Sequence, residues 1–381
     1  MSVGLWQTPE PTAQPKLVQT LVIGAGLIGS YLALQSQADV VLDARHVAGG
    51  ASGRNGGLLL TGIANSYQAA CAEYGRDLAQ SLWRTTIRNR ELMIEWATKL
   101  GSPVRRCGSL IFAYSEQEHA ELANSAALMH EDGFSTEWHA EDPTKRGFWG
   151  ALHNPDDGAI QAALLTAALL RESGAQLYEA SEVYALESTA DGVLVRARTG
   201  NWLAQRVLVA TNAWTGLLLP EFSQLVIPAR GQLLATAPIE LILSQACYCD
   251  YGFTYFQQTP AGNLVLGGFR NRAVAEEQTF ADCTTPLIQD LLDGFLQRHF
   301  PEATNTPIER RWAGTMGFAP DHRPLVGRLR RDDRIAFAVG FSGHGLGLGL
   351  VAADELLAEL AGTPAALFSA RRFSETAHLF S

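Results

Sequence analysis

Apolar and polar positions along this 381-residue chain fall into blocks of different period. Val18 to Ile23 is a short apolar run rich in β-branched residues, which predicts a buried parallel strand. Leu27, Ile28, Tyr31 and Leu32 follow at helical spacing, and Val40 to Leu42 predicts a second strand. Between Asp156 and Glu187, apolar residues at 164, 165, 168 and 169 predict a helix leading into a strand. Amphipathic helical stretches, "RNRELMIEWATKLG" and "EQEHAELANSAALMHEDG", flank a strand, "SLIFAYS". Residues 216–311 read as strands: "QLLATAPI", "FTYFQQ" and "NLVLGGF". The link "TPAGN" suits a type I turn with Pro260 and Gly262 at its second and fourth positions. Residues 1–16 read as a tail with no charged-then-apolar leader pattern.

Composition narrows the class. With 47% hydrophobic and 18% charged residues, the chain is that of an ordinary globular protein long enough for two domains. A net charge of −10 argues against nucleic acid or an anionic membrane as partner. No apolar run is long enough for a membrane span. Cys71, Cys107, Cys247, Cys249 and Cys283 are scattered, odd in number and without a Cys-x-x-Cys. They read as buried reduced thiols of a cytoplasmic protein, and no metal site is expected from them.

Two glycine clusters carry the candidate chemistry. Gly24, Gly26 and Gly29 form Gly-x-Gly-x-x-Gly between the first strand and its helix. Gly24 allows the tight turn, Gly26 lets a pyrophosphate reach the backbone, and Gly29 lets helix and strand pack closely. The helix N-terminus offers free N–H groups to the phosphates. Asp43 lies 19 residues after Gly24, where a carboxylate accepts from both ribose hydroxyls. A carboxylate there disfavours a 2′-phosphate, but the unit alone does not separate NAD from FAD. The second cluster, "GGASGRNGG" from Gly49 to Gly57, follows the acid directly. Glycine is costly in helices and strands, so this composition points to close backbone approach. Such a segment can run beneath a long cofactor, with Arg54 and Asn55 at its pyrophosphate-to-ring region.

On these residues the chain resembles the FAD-dependent amine and amino acid oxidoreductases of the D-amino-acid oxidase, glycine oxidase and sarcosine oxidase superfamily. The resemblance is greatest to γ-glutamylputrescine-oxidase-like members. "GASGRNGG", "RVLVATNAWTGLLLP", "RWAGTMGFAPDHRPLVG" and "GFSGHGLGLGLVAADELLAEL" carry it. It implies an α/β fold: a discontinuous Rossmann-type FAD-binding domain (17–85, 146–215 and 312–381). A second, α+β substrate domain on a largely antiparallel sheet (86–145 and 216–311) is implied with it. It implies FAD contacts at Leu27, Ile28, Ala44, Arg45, Ala51, Ser52, Gly56 and Gly57, and adenine recognition through the backbone of Val183. Ala210, Thr211 and Asn212 would close over the cofactor. Gly314 and the turn Gly343, His344, Gly345 and Leu346 would lie at the flavin, with the helix that begins there pointing its N-terminus at the ring.

The resemblance further implies oxidation of a C–N bond by hydride transfer to flavin N5, giving an imine that hydrolyses. Oxygen is the expected acceptor. A quinone- or carrier-linked dehydrogenase and a catalytically silent flavin protein are the alternatives. Tyr255 and Gln257 share one strand face and are candidate substrate contacts. Trp312 and Met316 are candidate cavity residues, and His344 is a candidate base. Three departures matter. Gly314 stands where some relatives attach FAD through Cys, and no Cys occurs between 284 and 381, so noncovalent FAD is expected. Thr315-Met316-Gly317 lacks the Arg with which glycine oxidases hold a carboxylate, which favours amines unless Arg270 or Arg272 substitutes. "NLVLGGF" lacks the Lys that sarcosine oxidases use toward oxygen, which leaves the acceptor open.

Overall fold

A computed structural model describes residues 14–381. Most of the expected tail lies outside the described residues, and the first strand already begins at Lys16. That strand, Lys16–Ile23, sits between Gly200–Val209 and Val40–Leu42, parallel to both. Gln176–Tyr178 and Asp332–Val339 add further parallel partners. Leu21, Val22, Val207, Leu208 and Val209 are fully buried, as near-continuous apolar runs require when a parallel sheet is covered on both faces. Helices Leu27–Gln35, Ala162–Ser173 and Gly345–Leu360 share one core with that sheet. On the helix at 162–173, Leu165, Ala168 and Leu169 are buried, while Leu164 faces solvent. The other core is filled by Val193, Trp202, Phe222 and Phe337, beneath the antiparallel run Val183–Ser188, Val193–Ala197, Gly200–Val209.

A second sheet has eight strands in the order 308–318, 227–236, 264–268, 254–258, 246–249, 109–112, 151–154, 137–139. All neighbours are antiparallel except 246–249 with 109–112. Strand 151–154 belongs with this sheet, although the boundary drawn at 146 puts it in the cofactor domain, and the boundary drawn at 312 cuts through strand 308–318. The chain crosses between the two sheets more often than its glycine motifs indicate. Pro286–His299 is a helix where only strands were expected, and Pro opens it at its first turn. Ile288, Leu292, Phe295 and Leu296 pack its apolar stripe onto the sheet. The two helical stretches expected around "SLIFAYS" are Arg76–Lys99 and Glu116–Glu131, the first beginning twelve residues before the expected stretch opens at Arg88. In "TPAGN", Gly262 N donates to Thr259 O across 2.9 Å, closing the turn. Cys247 and Cys249 are buried, but Cys283 is exposed, against the expectation for all five.

The strand Ile308–Phe318 joins the sheets. It pairs with Ile227–Thr236 along its length, and its end bridges to Phe341, just past the first sheet. There Ser342 N donates to Gly317 O at 2.7 Å.

Candidate cofactor and substrate site

A cavity of about 620 Å³ lies at the C-terminal ends of the parallel strands, within the usual range for ligand sites. Every residue singled out above as a cofactor or catalytic candidate lines it, except Gly29 and Gln257.

Gly29 acts beneath the wall. A Cβ there would lie 1.8 Å from Gly24 O, so only glycine lets the helix approach the turn. Gly24 holds φ +108°, and its own Cβ would meet Ala210 O at 2.7 Å. Leu27 N donates to Ser52 Oγ at 2.8 Å, so the second glycine cluster caps the helix that follows the first. Asp43 accepts from Ala25 N on one oxygen and Arg45 N on the other, each at 2.7 Å. Burial pushes its carboxyl up, and those two hydrogen bonds oppose the shift.

The Arg-Asn pair of "GGASGRNGG" works on protein backbone. Arg54 donates from Nε to Gly49 O and from Nη1 to Ala313 O, both at 2.9 Å. Asn55 Nδ2 donates to Ala51 O and Ser52 O, while its Oδ1 accepts from Gly57 N. These bonds fix the shape of the short helix Ala51–Arg54, whose Ala51, Ser52 and Arg54 line the cavity. Gly314 faces Arg54, and a Cβ on it would fall 2.8 Å from the Arg54 Cβ. Two residues without a sequence signal complete this end. Trp214 stacks under the Arg45 guanidinium at 4.8 Å. Asp282 pairs with Arg45 and lies 3.7 Å from Arg54.

At the other end, Asn212 Oδ1 accepts from Gly340 N and Phe341 N, bracing the loop that leads into Gly343. The helix Gly345–Leu360 starts at the cavity, and the His344 side chain does not cap it, so its first N–H groups remain free. His344 Nδ1 lies 3.1 Å from Ser342 O, and Nε2 is buried without a partner. Burial drives the imidazole pKa down, which keeps the ring neutral near pH 7. The neutral ring lines the cavity with Nε2 free, and its lowered pKa makes it a weak proton acceptor.

Gln257 is not a cavity residue. Its amide donates to Gly56 O at 2.5 Å and accepts from Arg105 Nη2 at 3.0 Å, so it ties the second sheet to the glycine segment. Trp312 likewise turns away and donates to Arg54 O. Tyr255 and Met316 line the cavity with Tyr248, Phe253 and Phe318. Among these rings sits Arg270, its guanidinium carbon 4.6 Å from the Phe253 ring centre and 4.5 Å from that of Phe318. Among the described residues Arg270 has no ion-pair partner, and burial pulls its pKa down. Arg272 is exposed, 3.9 Å from Asp250, and does not line the cavity. His322, at φ +58°, is a further lining residue that sequence reasoning missed, since nothing in its context marks it. Among the described residues neither a lysine nor a cysteine lines the cavity.

A strand–glycine turn–helix unit, a half-buried carboxylate after the second strand and an uncapped helix N-terminus at the far end define a dinucleotide-dependent oxidoreductase site. Residues 19–360 match the family model described as FAD dependent oxidoreductase (DAO), and the chain belongs to that family. It is 28% identical over 372 residues to the gamma-glutamylputrescine oxidoreductase of Escherichia coli (strain K12), covering 92% of this chain and 84% of that protein. Solved structures share the fold, the following two among them. The glycine oxidase of Geobacillus kaustophilus has a TM-score of 0.77 at 20% identity and covers 93% of this chain and 96% of its own. The L-proline dehydrogenase of P. horikoshii has a TM-score of 0.75 at 23% identity with the same coverage. No helix among the described residues is long and apolar enough to cross a membrane.

Proposed function

We propose that this FAD-dependent oxidoreductase oxidises the C–N bond of a small amino acid, gripping its carboxylate with Arg270. The observation that carries this reading is a cavity-lining guanidinium, largely buried, with no counter-charge among the described residues. A buried cation without a partner is costly, and a substrate carboxylate would offset that cost when it binds. Phe253 and Phe318 both pack on the guanidinium, whose planar N–H fork matches two carboxylate oxygens. Arg270 thereby fills the role left vacant at Thr315-Met316-Gly317, and the expected preference for simple amines is reversed.

FAD, held noncovalently, supplies the hydride acceptor. Gly24, Asp43 and Val183 would hold its nucleotide half, and the free N–H groups at Gly345 and Leu346 would serve its ring. Tyr255 and Tyr248 wall the substrate. The apolar surroundings favour the neutral amine that hydride departure requires. The two sheets divide the work between cofactor and substrate, and the five unpaired thiols suit a cytoplasmic setting. Oxygen is the proposed acceptor. A carrier-linked dehydrogenase is the second reading, favoured by the absence of any lysine from the cavity wall among the described residues.

The test is anaerobic flavin reduction with substrate pairs that differ only in the α-carboxylate, followed by admission of oxygen. Faster reduction by the carboxylate-bearing member supports the proposal. Equal or slower reduction removes Arg270 from this role. Slow reoxidation by oxygen favours the carrier-linked reading.

A further inference from the structure

The outer edge of the second sheet carries a cluster that the flavin chemistry does not use. The edge strand Glu137–His139 pairs antiparallel with Ala151–Asn154, placing Glu137 opposite His153 and His139 opposite Ala151. Residues two apart on a strand share a face, and so do directly opposed residues. Glu137, His139 and His153 therefore project together from one side of the sheet. One ligand atom from each lies within 4.8 Å of the other two.

The spacings are informative. Glu137 Oε2 is 3.5 Å from His153 Nδ1 and 3.8 Å from His139 Nε2. Both exceed a hydrogen bond of about 2.7–3.2 Å. They are close to the ~3.4 Å edge of a tetrahedron whose centre lies ~2.1 Å from each ligand. Gly108 makes room for one member: at φ +70°, its Cβ would lie 2.9 Å from His153 Nε2. The neighbouring His119 is engaged with Ala140 O at 3.0 Å and is not a ligand.

We propose that Glu137, His139 and His153 form a site for a borderline divalent transition cation such as Zn²⁺. Two imidazoles and one carboxylate suit zinc, nickel or copper, whereas Mg²⁺ and Ca²⁺ prefer all-oxygen sets. Glu137 and the open side of the cluster face solvent, so water completes the coordination. The ion clips the edge strand to its neighbour and closes the connection 140–150. It also blunts an otherwise unpaired strand edge. In the strand order, Glu137–His139 lies at the opposite end of the sheet from Ile308–Phe318, which carries Gly314 and Met316. The site is thus structural and separate from the redox centre.

The test uses untagged holoprotein stripped with a chelator and then titrated with ZnCl₂ by calorimetry, with MgCl₂ as control. The expected result is one saturable equivalent of Zn²⁺, weakened at least tenfold in both His139→Ala and His153→Ala, with no response to Mg²⁺. Co²⁺ bound in place of Zn²⁺ should give visible bands of a nitrogen- and oxygen-ligated ion. Retention of flavin absorbance by each variant shows that it has folded. Glu137→Gln, at an exposed position, gives an independent loss of affinity. Absence of saturable binding overturns the proposal, as does a Zn²⁺ site indifferent to all three substitutions.

Discussion

The indole N–H of Trp312 donates to the backbone carbonyl of Arg54 across 3.0 Å, and Arg54 returns a bond to the next carbonyl, that of Ala313. This reciprocal pair bolts the glycine-rich segment to the strand that bounds the substrate end. Trp312→Phe keeps the ring and removes one hydrogen bond, worth about 0.5–1.5 kcal/mol. It is expected to weaken FAD retention several-fold while leaving the ranking of substrates unchanged, as measured by flavin release under dilution.

Asp43→Ala should weaken FAD binding by about one to two orders of magnitude, since a charge-assisted hydrogen bond contributes roughly 1.5–3 kcal/mol. The same change frees Ala25 N and Arg45 N. Fluorescence titration of the apoprotein measures the loss, and unaltered affinity would show that the carboxylate does not hold the ribose.

Arg270→Ala should slow flavin reduction by an amino acid about 10- to 150-fold, the equivalent of one charged hydrogen-bonding partner. The decarboxylated amine should be affected little. Arg270→Lys should recover only part of the loss, because an ammonium lacks the planar fork. Stopped-flow reduction with the substrate pair reads the difference directly.

Gln257→Ala should behave as a loss of support. Its amide bridges Gly56 and Arg105, so a lower unfolding temperature and easier flavin loss are expected, with substrate preference retained. A change in preference exceeding the change in flavin affinity would return Gln257 to the substrate wall.

Asp321 predicts an acid transition. Burial raises its carboxyl pKa, but hydrogen bonds and charge from Arg372, with Arg323 beside it, outweigh this and hold it below the ordinary value. A carboxyl depressed in the folded state stabilises it above the unfolded pKa, about 3.9, and that contribution is lost as pH falls through the lower folded value. Asp321→Asn should therefore lower the unfolding temperature at pH 6, and the two melting curves should converge as pH falls through that lower folded value. Parallel curves down to the lowest pH would contradict the assignment.

The nucleotide end was legible because its physics is local. Turn and close packing each demand glycine at one spacing, so Gly24 and Gly29 can be recognised without a fold, and Asp43 follows the second strand to the same cavity. The substrate end was legible only as a strand face. Alternation places Tyr255 and Gln257 on the same side, but it does not reveal that Arg105 and Gly56 consume the Gln257 amide. Arg54 and Asn55 were located at the cavity, yet their partners are backbone carbonyls and amides that carry no sequence signature. Asp282 and Trp214 meet Arg45 only through tertiary folding. The helix Pro286–His299 was missed although Ile288, Leu292 and Phe295 keep its period, because the strands before it set the reading of the whole segment.

The strand Ile308–Phe318 belongs to the second sheet along its length and bridges at its end to Phe341, just past the first sheet. On this one backbone Trp312 grips the glycine segment, Gly314 makes room for Arg54, and Met316 and Phe318 face the substrate cavity. Specificity in this architecture is consequently not modular. A graft that imported a relative's second sheet would import the residues that hold the glycine segment with it. New substrates are better sought by changing single side chains around Arg270 than by exchanging domains.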